Sequence, residues 1–225
     1  MIKQAEKAVL FESALQRTCM RDRIRDTLVA RILDGKYPAG TQLKELQLAR
    51  EFNVSQAPIR EALRELEGSG LVVSERYRGT RVRGADLSEM SESYELRTTL
   101  EVRAVELAVP CKPEVLADLE EHHRMMAAAV ARDDSEGYVE AALKFHRRLL
   151  EASGNRVFVT VWDSLHFEVR GRIVLRRMAA KGNSLAPQVK LHRSLLDRLR
   201  ASDVPGAQEV MRRIFERVFQ AFRRD

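Results

Sequence analysis

Residues 38–67 read Pro38-Ala39-Gly40-Thr41-Gln42-Leu43-Lys44-Glu45-Leu46-Gln47-Leu48-Ala49-Arg50-Glu51-Phe52-Asn53-Val54-Ser55-Gln56-Ala57-Pro58-Ile59-Arg60-Glu61-Ala62-Leu63-Arg64-Glu65-Leu66-Glu67, and this stretch decides the fold. Tyr37 to Gly40 is a turn cluster. A short helix follows at about 44–51, with Leu43, Leu46, Leu48 and Phe52 as its apolar contacts. Asn53 closes it, because asparagine tolerates the left-handed backbone of a helix end. Ser55 then caps a second helix, and Pro58 falls in its first turn, where a missing N–H costs nothing. Ile59, Leu63 and Leu66 share the inner face of that helix, and Arg60 and Arg64 the outer one. A second helix of this kind fits the major groove of DNA, where phosphates favour the exposed N–H groups of its N-terminus.

Upstream, Ile24, Leu28, Val29 and Ile32 predict a helix over 21–33, stopped by Gly35. Residues 1–20 read as an N-terminal extension. Downstream, Leu71-Val72-Val73 and Thr80-Arg81-Val82-Arg83 are short β-like runs separated by Tyr77-Arg78-Gly79, which predicts a hairpin, or wing, presenting Arg78. Gly84-Ala85 marks a domain boundary. Beyond it the pattern predicts six helices: 86–108, 113–132, 136–152, 157–180, 185–201 and 204–223. The fold class is therefore mainly α, with a winged helix-turn-helix over 21–85 and an all-α bundle of about six helices over 86–225.

Charge follows the same division. Lys and Arg outnumber Asp and Glu by 16 to 11 in residues 1–85, whereas the remainder is nearly balanced at 23 to 22. Clustered positive charge is what phosphate binding needs, since neutralised phosphates release condensed counterions. No apolar run of membrane-spanning length occurs, and the interrupted N-terminus lacks the pattern of a signal peptide. Cys19 and Cys111 form no spaced set and read as thiols in a reducing, cytoplasmic setting.

The run from Pro38 through Glu45-Leu46, Ser55-Gln56-Ala57-Pro58-Ile59-Arg60-Glu61-Ala62-Leu63 and Gly70-Leu71-Val72 to Arg78-Gly79 and Val82 resembles the DNA-binding domain of GntR-family regulators. The resemblance covers about 21–83. It implies DNA contacts from Lys44, Gln56 and Arg60, supported by Ser55, Ala57, Arg64 and the wing residues Arg78 and Gly79. The family often has Arg where this chain has Gln56, and a glutamine reads adenine where an arginine favours guanine or a phosphate. Arg64 has a second reading, as a surface partner of Glu61 and Glu67.

The helical remainder resembles the FadR-type subfamily with a C-terminal FCD domain. The resemblance rests on Glu95-Leu96-Arg97, Leu100-Glu101, Phe145-His146, Ser153-Gly154-Asn155, His192, Leu195-Leu196, Asp203, Ala207 and Met211. It implies a homodimer on a pseudo-palindromic operator in double-stranded DNA, modulated by a small-molecule effector, an organic acid, in the bundle; the alternative is a DNA-binding regulator whose bundle is degenerate and senses nothing. Many members hold a divalent metal through one Asp and three His. Here the Asp position is Ala142 and the third His position is Ile214, while His146 and His192 remain. Two imidazoles do not close a metal site, so no metal or other cofactor is expected. His146 and His192 lie on apolar faces and line a cavity or are satisfied in the core. Arg97 takes the family's inward position, where it contacts a carboxylate effector or pairs with Glu101 four residues on. His122, His123 and His166 read as surface or interhelical residues, and Arg170, Arg172, Arg176 and Arg177 as a solvated helix face from which one could reach the cavity. No nucleophile, paired carboxylates or complete metal set accompanies the histidines, so an enzyme is not expected.

Overall fold

Ile24, Leu28, Val29 and Ile32 bury one face of the first helix, α1 (residues 20–33), as their three- and four-residue spacing requires. The computed structural model describes residues 20–83, 86–180 and 182–220; the expected extension before residue 20, the junction at 84–85 and the last residues of the final helix lie outside these. The chain divides into two compact units, Met1–Asp86 and Leu87–Asp225.

In the first unit, α1 is followed by β1 (Gln42–Leu43), α2 (Glu45–Glu51), α3 (Gln56–Gly68), β2 (Val72–Glu75) and β3 (Gly79–Val82). Asn53 turns the chain between α2 and α3 with φ 53°. Ile59, Ala62, Leu63 and Leu66 form the buried stripe of α3. The strands make one antiparallel sheet in the order β1-β3-β2, with Leu43 opposite Thr80 and Val72 opposite Val82. The hairpin sits a residue or two from its expected bounds. β1 was not expected at all, because two residues are too few to show an alternating pattern.

The second unit is helical throughout: α4 (Leu87–Ala108), α5 (Pro113–Ala131), α6 (Ser135–Ala152), α7 (Arg156–Ser164), α8 (Phe167–Ala180), α9 (Ala186–Arg200) and α10 (Val204–Phe219). Side-chain caps set several starts. Asp134 accepts from the Gly137 N–H at 2.9 Å, Asn155 from Val157 and Phe158 at 3.0 and 3.3 Å, and Asp203 from Gly206 at 3.0 Å. Proline in the first turn opens α5, α9 and α10. Phe145, Leu149, Leu119, Met126, Leu195, Met211 and Phe215 fill the core between α4, α5, α6, α9 and α10.

The helix expected over 157–180 is two helices. His166 adopts φ 50° between α7 and α8, which interrupts the backbone ladder although the apolar spacing continues. That break also moves Arg170 off the expected solvated face. It is buried, with Nε donating to the Leu165 carbonyl at 2.9 Å and Nη2 to Glu89 at 3.1 Å. The carbonyl freed at the end of α7 supplies the partner that draws the guanidinium inward. Arg172 stays on the surface and pairs with Glu136. Among the described residues, no helix is long and apolar enough to cross a membrane.

Candidate functional site

Two places in the molecule gather the residues singled out from the sequence, one in each unit. The first is the outer face of α2, α3 and the hairpin. Ser55 stands at the N-cap position of α3 in extended conformation, φ −69° and ψ 166°, but its side chain makes no capping bond. This differs from the expected cap: the hydroxyl is exposed, beside the unpaired N–H groups that begin the helix. Ala57, Arg60 and Arg64 are also exposed, and Gln56 is half-buried.

Arg60 donates from Nε to Glu45 at 2.7 Å and from Nη2 to Gln56 Oε1 at 3.3 Å. These contacts hold the guanidinium over the N-terminal half of α3, beside Gln56. An exposed ion pair of this kind is worth about 0–1 kcal/mol, so Glu45 holds the guanidinium only weakly. Lys44 is exposed at the start of α2. Arg64 makes no ion pair among the described residues, so the alternative pairing with Glu61 or Glu67 is not formed.

The hairpin tip carries a residue that the sequence reading passed over. Tyr77 is 91% exposed and holds φ 65°, uncommon for a bulky side chain. The Arg76 guanidinium lies 5.0 Å from its ring centroid, and Arg78 reaches Glu75 at 3.5 Å. Gly79 turns the chain with φ 79°, and the Gln42 amide donates to the Arg78 carbonyl at 2.8 Å, tying the tip to β1. The tip thus presents an aromatic ring between two arginines. An exposed aromatic next to a turn glycine is the signal that would have marked it.

The second place is a cavity of about 70 Å³ inside the bundle. Its polar lining is Tyr94 and Arg97 from α4, Tyr138 and His146 from α6, and Gln188 and His192 from α9. Beneath it lies Glu101, with no exposed surface. Its carboxylate accepts from Arg97 Nε at 2.6 Å, from Trp162 Nε1 at 3.2 Å and from His146 Nδ1. Burial alone would raise this carboxyl, but His146 and Arg97 outweigh it and hold the group at about 2, ionised at neutral pH. The Arg97 guanidinium is enclosed by the rings of Tyr94, Trp162, Phe167 and Phe215, 4.7 to 5.6 Å from their centroids. Of the two roles expected for Arg97, the ion pair with Glu101 is formed, and its place in the lining leaves the ligand contact as a proposal.

The histidines meet in the cavity wall. His192 Nδ1 donates to the Gln188 carbonyl at 2.7 Å, and His192 Nε2 stands 3.1 Å from His146 Nε2. Burial, then the neighbouring His146, lowers His192 to about 3. Burial lowers His146 as well, against the pull of Glu101. Ala142 and Ile214 line the same cavity, so the two positions at which the resembled family supplies metal ligands carry hydrocarbon. Among the described residues no group of three His, Cys, Asp or Glu could hold a metal ion. The donor set does not fit a closed metal site.

The remaining histidines lie elsewhere. His123 Nε2 bonds the Val189 carbonyl at 3.2 Å between α5 and α9, His122 is half-buried, and His166 forms the α7–α8 break. Gln188 and Trp162 were missed from the sequence. Gln188 is four residues before His192, a helical spacing that could have placed it on the same face. Trp162 had no such cue.

Comparison with known proteins follows the same division. Residues 20–82 match the family described as bacterial regulatory proteins, gntR family, and residues 92–217 match the FCD domain. A probable D-xylose utilization operon transcriptional repressor of Paenarthrobacter nicotinovorans is 29% identical, the alignment covering 88% of this chain and 86% of the relative. A gluconate operon transcriptional repressor of Bacillus licheniformis is 28% identical over 79% of this chain and 73% of its own length. Among solved structures, a GntR regulator from Rhodococcus sp. RHA1 superposes with a TM-score of 0.69 at 23% identity, covering 89% of this chain and 96% of its own, and supports the fold.

Proposed function

Because the chain belongs to the gntR family of bacterial regulatory proteins and carries its FCD domain, it is a DNA-binding transcriptional regulator, and we propose that it binds a pseudo-palindromic operator as a homodimer and responds to a small organic acid held in the bundle. The reading of DNA rests on the exposed face of α3. Gln56 reads a base edge, adenine being its natural partner, and Arg60 reads guanine or a phosphate. Lys44, Ser55, Ala57 and Arg64 hold the backbone, and the wing lays Arg78, Gly79 and Tyr77 against the duplex. Two-fold symmetry of the dimer sets the symmetry of the site.

The observation that carries the sensing half is the cavity itself, lined by the Arg97 cation, two imidazoles and the partnerless Gln188 Oε1 in an otherwise apolar bundle. Arg97, in the lining, is the cation that an entering carboxylate would meet. The xylose and gluconate operon repressors among the relatives favour a sugar-derived effector and repression as the mode. No nucleophile or metal set in the cavity supports an enzyme.

The test begins with selection of operator fragments by the full-length protein, followed by sedimentation to weigh the complex. Operator affinity is then titrated with organic acids. A two-protomer complex on a palindromic fragment, weakened about tenfold by at least one acid that binds the bundle, is expected. Acids that bind the bundle but leave operator affinity unchanged would sink the switch.

A further inference from the structure

One buried hydrogen-bond acceptor in the cavity wall has no partner in the chain. The Gln188 amide donates from Nε2 to the Ile214 carbonyl at 3.2 Å. That contact orients the amide, since only its NH₂ end can serve a carbonyl. Oε1, at the other end, is buried and has no hydrogen-bond partner. Buried acceptors left in this state are rare in folded proteins and call for an explanation.

The histidines stand beside it. His192 Nδ1 faces a carbonyl, so it carries the proton, and Nε2 presents a lone pair. His146 Nδ1 faces the Glu101 carboxylate and is protonated for the same reason. The two Nε2 atoms stand 3.1 Å apart at the cavity wall, at hydrogen-bond distance from each other. Arg97 gives Nε to Glu101 and lies among four rings. Gln188 Oε1 is thus the acceptor of this wall that the chain leaves without a donor.

Resting on the reading of the cavity as an organic-acid site, we propose that Gln188 determines its specificity by selecting acids that carry hydroxyl groups. One hydroxyl donates to Gln188 Oε1, and a neighbouring hydroxyl meets the Nε2 atoms of the histidine pair. An acid without hydroxyls leaves Gln188 Oε1 unpaired and binds more weakly, because a buried polar site rejects an analogue that lacks its partner.

The experiment uses the full chain and a three-carbon series: propionate, lactate and glycerate, with none, one and two hydroxyls, and glycerol as the uncharged counterpart. Calorimetric affinities are expected to rise by about tenfold or more from propionate to glycerate. Gln188→Met, which keeps the length and removes the acceptor, is expected to flatten the series by weakening glycerate alone. Equal affinity of the three acids, or a parallel loss for all three in the variant, overturns the proposal and leaves the acid site standing. Glycerol binding as well as glycerate does the reverse, and binding of none of the four overturns both. Imidazole ¹⁵N shifts in the unmodified protein provide a second measurement. Glycerate is expected to move the Nε2 signals of His146 and His192 and to spare Nδ1; unmoved Nε2 signals count against the proposal.

Discussion

Glu101 keeps its charge without any exposed surface because three donors from α4, α6 and α7 converge on it. Removing that charge leaves Arg97 buried and uncompensated. Glu101→Gln is therefore expected to cost about 3–5 kcal/mol of bundle stability, read as a fall in the thermal midpoint. The joint change of Glu101 to Leu with Arg97 to Met is expected to recover most of the loss. Acid acts on the same cluster in one direction. Glu101, held at about 2 against an ordinary 4.5, favours the folded state above pH 4.5 and loses that contribution as the pH falls toward 2. His192, held at about 3 against 6.5, and His146, also lowered, resist protonation in the fold. Their contribution is complete above pH 6.5 and declines as the pH falls below it. The melting temperature is expected to drop steadily from pH 7 to 4, by roughly 4–8 °C for each 2 kcal/mol lost. His192→Gln is expected to flatten the upper part of that decline; an unchanged slope in the variant would show that other groups govern it.

At the scale of elements, α3 separates reading from folding. Its inner stripe is buried, whereas Arg60 and Arg64 are exposed. Arg60→Ala is accordingly expected to weaken operator binding by about 1–3 kcal/mol, with loss of discrimination at one base pair and little change in melting temperature. Tyr77→Ala at the hairpin tip is expected to weaken binding without altering base preference, since a wing contacts backbone or groove rather than base edges. Binding isotherms on operator variants separate the two outcomes. These elements were largely legible in the sequence because their cues are local: Asn53 at a turn, proline in a first turn, leucines at three- and four-residue spacing. What was not legible depends on partners distant in sequence. β1 exists only because Gln42 and Leu43 meet Arg81 and Thr80. The break at His166 is hidden by apolar spacing that runs on through it, and the inward turn of Arg170 depends on that break. The cavity was half legible. Arg97, His146 and His192 stood out, but the unpaired acceptor of Gln188 depends on the Ile214 carbonyl, 26 residues away.

For the whole molecule the proposed switch requires that a ligand in the cavity of one unit change DNA reading by the other, and thermodynamic linkage constrains such a coupling without reference to any route between them. If effector weakens operator binding tenfold, the coupling free energy is about 1.4 kcal/mol. The same coupling must then act in reverse: the protein on its operator binds effector tenfold more weakly than the free protein does. The charge distribution offers a way to measure this cleanly. The positive excess lies in residues 1–85 while residues 86–225 are nearly balanced, so salt should weaken operator binding steeply. Binding of a single acid in a buried cavity should respond far less. Effector affinity is therefore measured at one fixed acid concentration range with operator bound at low salt, and again with operator released by raising the salt. A tenfold difference between the two states, matching the effector's tenfold effect on operator affinity, is the expected result. A salt-only control without DNA must show no such change. Equal effector affinities on and off DNA would mean that the cavity and the reading head are uncoupled, whatever binds to either.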